Sequence, residues 1–127
     1  MATLNRIILY AKDVDETVRF YETHFGFVAQ REAGDSAVEL APSNGGAILM
    51  ILPAGKGLKV GQSKVKLVFD VEDVESFCAE CAEEGLIFGS PHVASGYAYA
   101  NAKDPCGNSI QVSSRAFRVR SDGVSTD

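Results

Sequence analysis

The sequence contains an internal repeat, and this repeat restricts the fold more than any other feature. RIILYAKDVDETVRFYETHFGFV lies near the start, and KLVFDVEDVESFCAECAEEGLIF lies in the second half. Each copy has the pattern of a short apolar strand, an Asp-Val pair, an amphipathic helix, and a glycine before a new strand. Asp13 aligns with Asp73, and Gly26 aligns with Gly85. The chain is therefore predicted to form two related modules.

Both predicted helices carry start and stop signals. Asp13 and Asp73 suit the N-cap, because an aspartate oxygen there accepts a hydrogen bond from a backbone N–H of the first turn. Gly26 and Gly85 suit the left-handed residue that ends many helices. Apolar residues recur at helical spacing on one face of each helix, namely Val14, Val18, Tyr21 and Phe25 in the first and Val74, Cys78 and Cys81 in the second. Each helix is therefore expected to pack one face against a sheet.

Three strand-like runs follow each helix. They are FVAQREA, SAVELAP and AILMILP in the first half, and LIFGSP, GYAYANAK and NSIQVSS in the second. Each half is thus predicted as β-α-β-β-β, and the fold class is α+β. AILMIL is apolar at every position, which predicts a strand covered on both faces.

Strand alternation predicts which side chains face away from the helices. Residues i and i+2 of a strand share a face. In the first strand the uniformly apolar set should pack on the helix, which leaves Arg6, Ile8 and Tyr10 on the opposite face. By the same alternation, Lys66 and Gln111 belong to the mixed face of the second module.

The predicted layout is one domain, residues 1–116, followed by a flexible tail, residues 117–127. Within the domain, module one spans 4–53, a glycine-rich linker spans 54–63, and module two spans 64–113. The linker lacks the glycine and lysine spacing of a phosphate-binding loop.

Composition excludes several classes of protein. The 127 residues carry a formal net charge of −5, which disfavours a nucleic-acid surface. No apolar run approaches the ~18 residues that a membrane span requires. The N-terminus shows no secretory signal, and three cysteines imply no disulfide framework. A cytoplasmic location is therefore expected, without nucleic-acid or membrane partners.

The Cys78-Ala-Glu-Cys81 pair has the CxxC spacing of some metal and redox sites. The alternative is two small side chains packed beneath a helix, as free cysteines often are. Cys78 and Cys81 align with Val18 and Tyr21, so packing is the favoured interpretation.

Paired β-α-β-β-β modules, FYETHFGF after the first helix start, and DPCGN before the last strand resemble the vicinal oxygen chelate superfamily. That superfamily includes glyoxalase I, extradiol dioxygenases, and fosfomycin- and bleomycin-resistance proteins. The resemblance covers residues 4–113. It implies mixed sheets curled into a cup with the helices outside. It also implies a homodimer in which modules of two chains complete one cup.

The resemblance also locates the family's metal-ligand positions. In metal-dependent members, His or Glu side chains lie on the first and last strands of each module, and the matching places here are Arg6, Met50, Lys66 and Gln111. Arginine and lysine repel a cation, a thioether suits soft metals, and a neutral amide is a weak ligand. We therefore expect no divalent metal and no other cofactor. The four residues are instead predicted to contact a ligand in the cup.

Arg6 and Lys66 are expected to bring two positive charges close together at the family's metal-ligand positions. The repulsion between Arg6 and Lys66 should be compensated by open water, by a protein carboxylate such as Glu39, or by a bound anion beside them. The alternative is that both side chains extend into solvent and have no specific stabilising role.

Aromatic residues add further candidates. Tyr97 and Tyr99 share one strand face and are predicted to line an aromatic ligand groove, which Tyr10 could join. The alternative is that these rings fill the core or a dimer interface. His92 lies in a segment that borders the mouth of the cup in this family. It is either a general base or an exposed loop histidine.

Three functions follow from these interpretations. The favoured one is a metal-independent protein that binds a small organic molecule in its cup. Arg6 and Lys66 favour an anionic ligand, while the acidity of the whole chain leaves the charge of the ligand open. The second is a glyoxalase-type lyase or isomerase, similar to lactoylglutathione lyase, with Glu39 or His92 as base and a cation stabilising an enolate-like oxyanion. The third is a protein-interaction module whose cup is filled by its own side chains.

Overall fold

The structure is a computed structural model and describes residue 1 and residues 4–119. Two compact units account for it. Unit 1 consists of Met1–Gln62 together with Asp104–Gly107, and unit 2 consists of Ser63–Lys103 together with the residues from Asn108 onward. The unit boundary after Gln62 falls at the end of the predicted linker.

Unit 1 is a four-stranded mixed sheet with one helix. Its elements are β1 (Arg6–Ala11), α1 (Val14–Phe25), β2 (Val28–Gln30), β3 (Val38–Ala41) and β4 (Ile48–Pro53). The strand order is β1-β4-β3-β2, with β1 and β4 parallel and the other neighbours antiparallel. This is the predicted β-α-β-β-β module.

Helix α1 begins and ends where the sequence predicts. The Asp13 carboxylate accepts a hydrogen bond from the Glu16 N–H at 3.0 Å, and Gly26 ends the helix at φ 69°. Thr17, Val18 and Tyr21 are buried on the face that packs against the sheet. Each large apolar side chain buried in this way contributes about 1.5–3 kcal/mol relative to exposure.

Unit 2 repeats this architecture. Its elements are β5 (Lys66–Asp70), α2 (Val74–Glu83), β6 (His92–Ala94), β7 (Tyr97–Lys103), β8 (Ser109–Ser113) and a 3₁₀ turn (Arg115–Phe117). The strand order is β5-β8-β7-β6, with β5 and β8 parallel. The prediction of an α+β fold with two β-α-β-β-β modules is confirmed.

One predicted strand is wrong. LIFGSP was expected to form the strand after α2, but the strand β6 lies later, at His92–Ala94. Pro91 has no N–H to give to a ladder, so the segment before it makes a poor strand. A tight turn at Ser95 and Gly96, with Gly96 at φ 81°, instead pairs Ala94 with Tyr97 and sets the hairpin register. His92 therefore lies in a strand and not in a loop.

Strand β4 also departs from the expectation. Leu49 and Ile51 are buried on the helix-facing side, whereas Ile48, Met50 and Leu52 are only half-buried on the other. The prediction that β4 is covered on both faces therefore holds for one face.

The chain's two best family markers meet in unit 1. The Tyr21 hydroxyl, from FYETHFGF, donates a buried hydrogen bond of 2.7 Å to the Asp104 carboxylate, from DPCGN. The other Asp104 oxygen accepts from the Cys106 N–H at 2.9 Å. Burial, followed by the charge of Asp104, raises the pKa of Tyr21 far above its usual range. The DPCGN turn is therefore a structural anchor on helix α1.

The C-terminal segment after the second module is described only in part. The predicted tail starts at residue 117, but Phe117 still belongs to the 3₁₀ turn, and residues 120–127 lie outside the described part of the chain. Among the described residues, no helix is long and apolar enough to cross a membrane.

Candidate ligand-binding site

A groove of about 820 Å³ lies on the open face of the unit 2 sheet. Alternation along the strands explains it, because Leu67, Ile110 and Val112 point to the buried side and their neighbours point outward. The groove is lined by Lys66, Val68, Asp70, Tyr97, Tyr99, Gln111, Ser113, Arg115, Ala116 and Arg118. Four of the residues predicted to contact a ligand, Lys66, Gln111, Tyr97 and Tyr99, thus line one surface.

One end of the groove is a hydrogen-bonded cluster of polar side chains, which we call the amide end. The Asn101 carbonyl oxygen accepts from the Lys66 ammonium at 3.2 Å and from the Gln111 amide at 2.9 Å. Asn101 and Gln111 are register partners on β7 and β8, so the backbone places their side chains together. Gln111 thus supports an ammonium group through Asn101, a role that suits a neutral amide.

The other end, which we call the arginine end, is organised by the 3₁₀ turn after β8. Arg115 donates a hydrogen bond of 3.0 Å to the Tyr97 hydroxyl, and its guanidinium carbon lies 5.2 Å from the ring centroid. The Arg118 guanidinium carbon lies 5.9 Å from the same centroid. Cation–π contacts at such exposed sites contribute about 0.5–1 kcal/mol each. Both guanidinium groups are thereby held beside the tyrosine.

Aromatic rings form the wall between the two ends. Tyr97 and Tyr99 have centroids 6.2 Å apart and planes inclined by 34°. His92 stacks on Tyr99 with centroids 5.1 Å apart and an angle of 25°, because β6 and β7 pair these two residues. Both tyrosines are half-buried and line the groove. They are therefore available to an aromatic ligand.

The groove carries more positive than negative charge. Lys66, Arg115 and Arg118 line it, whereas Asp70 is the single lining carboxylate among the residues that the structure describes. Over residue 1 and residues 4–119, no ion pair joins Lys66 or Arg115 to a carboxylate. A concave surface with unbalanced positive charge raises the local concentration of anions.

The other predicted site residues lie on the open face of the unit 1 sheet. Arg6 forms an ion pair of 3.5 Å with Glu39, and both side chains are substantially exposed. A pair of this kind contributes at most about 1 kcal/mol. Met50 lies between Ile8 and Glu39 in the strand register and is half-buried. Glu39 is therefore the carboxylate that accompanies Arg6 in this structure.

The donor atoms at the family's metal positions do not fit a divalent cation. Arg6 is ion-paired as a cation, and Lys66 donates a hydrogen bond to Asn101, so neither presents a lone pair. Within the described ranges, no three His, Cys, Asp or Glu side chains group as metal ligands. Arg6 and Lys66 therefore supply no ligand atom to a divalent metal.

The CxxC pair shows the features of packed thiols. Cys81 is buried, and Cys78 is half-buried on the same helix. Burial, with smaller contributions from Cys78 and Glu80, raises the pKa of Cys81 to about 11. Metal binding and thiol exchange both need the thiolate, which is scarce at neutral pH under these conditions.

Sequence reasoning missed several residues of the groove. Arg115 and Arg118 fall after the last predicted strand and show no strand or helix periodicity. Their spacing of three residues, directly behind a strand, is the signal that could have identified them. Asn101, which holds the amide end together, is not among the predicted site residues, because its role depends on the register between β7 and β8.

Comparisons with solved structures find the same fold. The protein UcmS2 superposes with a TM-score of 0.77 at 17% identity, covering 90% of this chain and 98% of that one. TnmS3, an antibiotic binding protein from Streptomyces sp. CB03234, gives 0.73 at 21% identity, with 88% and 94% coverage. Lactoylglutathione lyase from Agrobacterium tumefaciens gives 0.68 at 19% identity, with 89% and 93% coverage.

Sequence comparison defines the family. No curated protein sequence matches the chain significantly. Residues 3–112 match the Glyoxalase/Bleomycin resistance protein/Dioxygenase superfamily, which is the group that the sequence markers resemble. That match covers most of the chain and agrees with the two four-stranded modules. The chain therefore belongs to the glyoxalase/bleomycin resistance protein/dioxygenase superfamily.

Proposed function

We propose that this protein binds a small aromatic organic anion in the unit 2 groove without using a metal. The proposal is carried by one observation: among the described residues, two tyrosine rings and three cations line the same groove with a single carboxylate. Tyrosine rings give a flat apolar surface, and the cations compensate a negative charge placed against it.

The comparison with TnmS3 supports the binding role. That structure is described as an antibiotic binding protein, and it shares the fold of this chain. At 21% identity the likeness concerns the fold, so the ligand class here rests on the groove residues themselves. The cytoplasm remains the expected location.

Paired probes that differ only in charge test this function. Biphenyl-4-carboxylate and its neutral amide have the same rings and nearly the same shape, and titration calorimetry measures both. We expect the acid to bind at least about tenfold more tightly, because a charge-assisted hydrogen bond contributes more than a neutral one. Equal affinity of acid and amide would contradict an anion site, and no binding of either would contradict the groove proposal.

A matched pair of lysine variants locates the binding. Lys66→Ala removes a groove ammonium, whereas Lys59→Ala removes the same charge from the linker in unit 1. Only the first should weaken binding of the acid, by about three- to tenfold. An equal loss in both would mean that general attraction, rather than the groove, binds the probe.

A glyoxalase-type lyase or isomerase is the second candidate function. The Glu39 carboxylate next to the Arg6 guanidinium, both accessible on an open sheet face, supplies a base and a cation within one ion pair. Turnover of the hemithioacetal of methylglyoxal and glutathione, lost in Glu39→Gln and kept in Glu32→Gln, would favour this candidate. Absence of turnover in the parent protein would reject it for that substrate.

We also propose that the protein is a homodimer. The open face of the unit 1 sheet presents apolar side chains, with Ile8 49% and Val28 58% exposed. Tyr10, Met50 and Leu52 add to the same face. Contiguous exposed apolar surface of this kind is typical of a protein interface.

A further inference from the structure

The groove in unit 2 has two positively charged ends, and its geometry sets the distance between them. Asn101 marks the amide end and Tyr97 marks the arginine end, four residues apart on β7. At about 3.3 Å per residue, these positions are separated by roughly 13 Å. Gln111 on β8 and Arg115 after it differ by the same number of residues.

Each end retains hydrogen-bond donors for a ligand. The Lys66 ammonium has three N–H groups and uses one on Asn101. The Arg115 guanidinium has five and uses one on the Tyr97 hydroxyl. Both ends therefore offer a positive charge with directed donors, which suits the oxygens of a carboxylate, sulfonate or phenolate.

The surface between the ends is aromatic. The Tyr97 and Tyr99 rings lie side by side on β7, inclined by 34°. On β5, Val68 lies opposite Gln111 and adds an exposed apolar side chain at the amide end, whereas Asp70 lies opposite Ser113 and places a carboxylate beside this surface. A single small anion would fill one end and leave the other charge and this surface unused.

We infer that the groove selects an elongated aromatic ligand with an anionic group at each end, spanning from Lys66 to Arg115. This inference rests on the proposed function and narrows its ligand class. Such a ligand satisfies both cations at once, and its rings cover the tyrosine surface between them. Two linked rings with terminal carboxylates approach the required span, whereas one ring does not.

Three probes separate length from charge at constant ionic strength. Biphenyl-4,4′-dicarboxylate is long and doubly charged, biphenyl-4-carboxylate is long and singly charged, and terephthalate is short and doubly charged. We expect the long dianion to bind at least about tenfold more tightly than either of the others, because only it reaches both cations. Calorimetry gives the three dissociation constants.

Variants at the two ends test whether one ligand spans them. Lys66→Ala and the double variant Arg115→Gln/Arg118→Gln should each bring the long dianion to within about twofold of the long monoanion, since either change removes the cations of one end. Lys59→Ala, in the unit 1 linker, should preserve the full preference. Thermal unfolding of each variant checks that the fold is retained.

The outcomes distinguish this inference from the proposed function. If the long dianion binds no more tightly than the long monoanion, the two-ended ligand is wrong while the anion groove stands. If terephthalate matches the long dianion, charge rather than span governs binding, and the inference again fails. If none of the three probes binds, the proposed function fails together with it.

Discussion

The Tyr21 hydroxyl is buried in unit 1 and donates to the carboxylate of Asp104, which is itself only 5% exposed. A hydrogen bond to a charged acceptor in such surroundings contributes about 1.5–3 kcal/mol. Tyr21 and Asp104 come from different halves of the sequence, so this bond holds the β7–β8 turn on helix α1. Tyr21 of FYETHFGF and Asp104 of DPCGN thus have a structural role in unit 1.

Tyr21→Phe should lower the free energy of unfolding by about 1.5–3 kcal/mol, because it removes this donor and keeps the ring. Tyr99→Phe is the matched control, since Tyr99 is half-buried on the unit 2 sheet, outside the proposed dimer face, and its change should cost less than about 0.5 kcal/mol. Urea unfolding followed by circular dichroism measures both. Similar losses in the two variants would show that the buried bond adds nothing to stability.

The linker passes close to the backbone of the DPCGN turn at Gly61. A Cβ atom built on Gly61 would lie 2.6 Å from the Cys106 carbonyl oxygen, and Gly61 has a φ of +76°. Gly57, in the same linker, has a φ of +83° but nothing within 4 Å. The two glycines share the left-handed conformation and differ in the space around them.

Gly61→Ala is expected to destabilise the protein more than Gly57→Ala. Both variants incur the cost of a left-handed alanine, about 1 kcal/mol, and Gly61→Ala adds a backbone clash of about 1–3 kcal/mol. Chemical denaturation of the two variants under identical conditions gives the difference. Equal stabilities would mean that the linker shifts away from the DPCGN turn without cost.

The elements differ in how far sequence could predict them. Helix ends followed from local rules, because Asp13 and Gly26 satisfy backbone groups within one turn of their own position. Strand β6 did not, because its place is set by pairing with β7 through the Gly96 turn, while the apolar run LIFGSP was the stronger local signal. Local pattern predicts an element well only where local interactions decide it.

The residues of the candidate site also differ in whether local pattern or tertiary structure places them. Alternation was enough to place Lys66, Gln111, Tyr97 and Tyr99 on one face, and these four line the groove. Arg115 and Arg118 could not be placed in this way, because a 3₁₀ turn carries them back over Tyr97 after the strand has ended. Whether the four predicted residues contact a ligand remains a prediction.

For the molecule as a whole, the two open sheet faces differ in character. The face in unit 2 is lined by charged, amide and tyrosine side chains. The face in unit 1 presents mainly apolar ones, with the ion pair of Arg6 and Glu39 among them. A polar groove suits a soluble ligand, whereas an apolar sheet face suits a second copy of the chain.

Ile8→Lys should therefore shift the proposed dimer towards monomers, because it places a charge in the apolar face of unit 1. Ile87→Lys is the control, since Ile87 is 70% exposed in unit 2, outside the sheet. Light scattering after size-exclusion chromatography gives the mass of each variant. A monomeric parent protein, or a dimer that survives Ile8→Lys, would contradict this assignment.

The bond between Tyr21 and Asp104 also has a consequence for the order in which the protein is made. During synthesis on the ribosome, helix α1 emerges long before the turn that completes its surroundings. Until Asp104 appears, the Tyr21 hydroxyl lacks that acceptor, and the growing chain cannot finish unit 1. Unit 1 can therefore be completed only after the second half of the sequence has been synthesised. A gene fragment that ends at the linker encodes an incomplete unit 1.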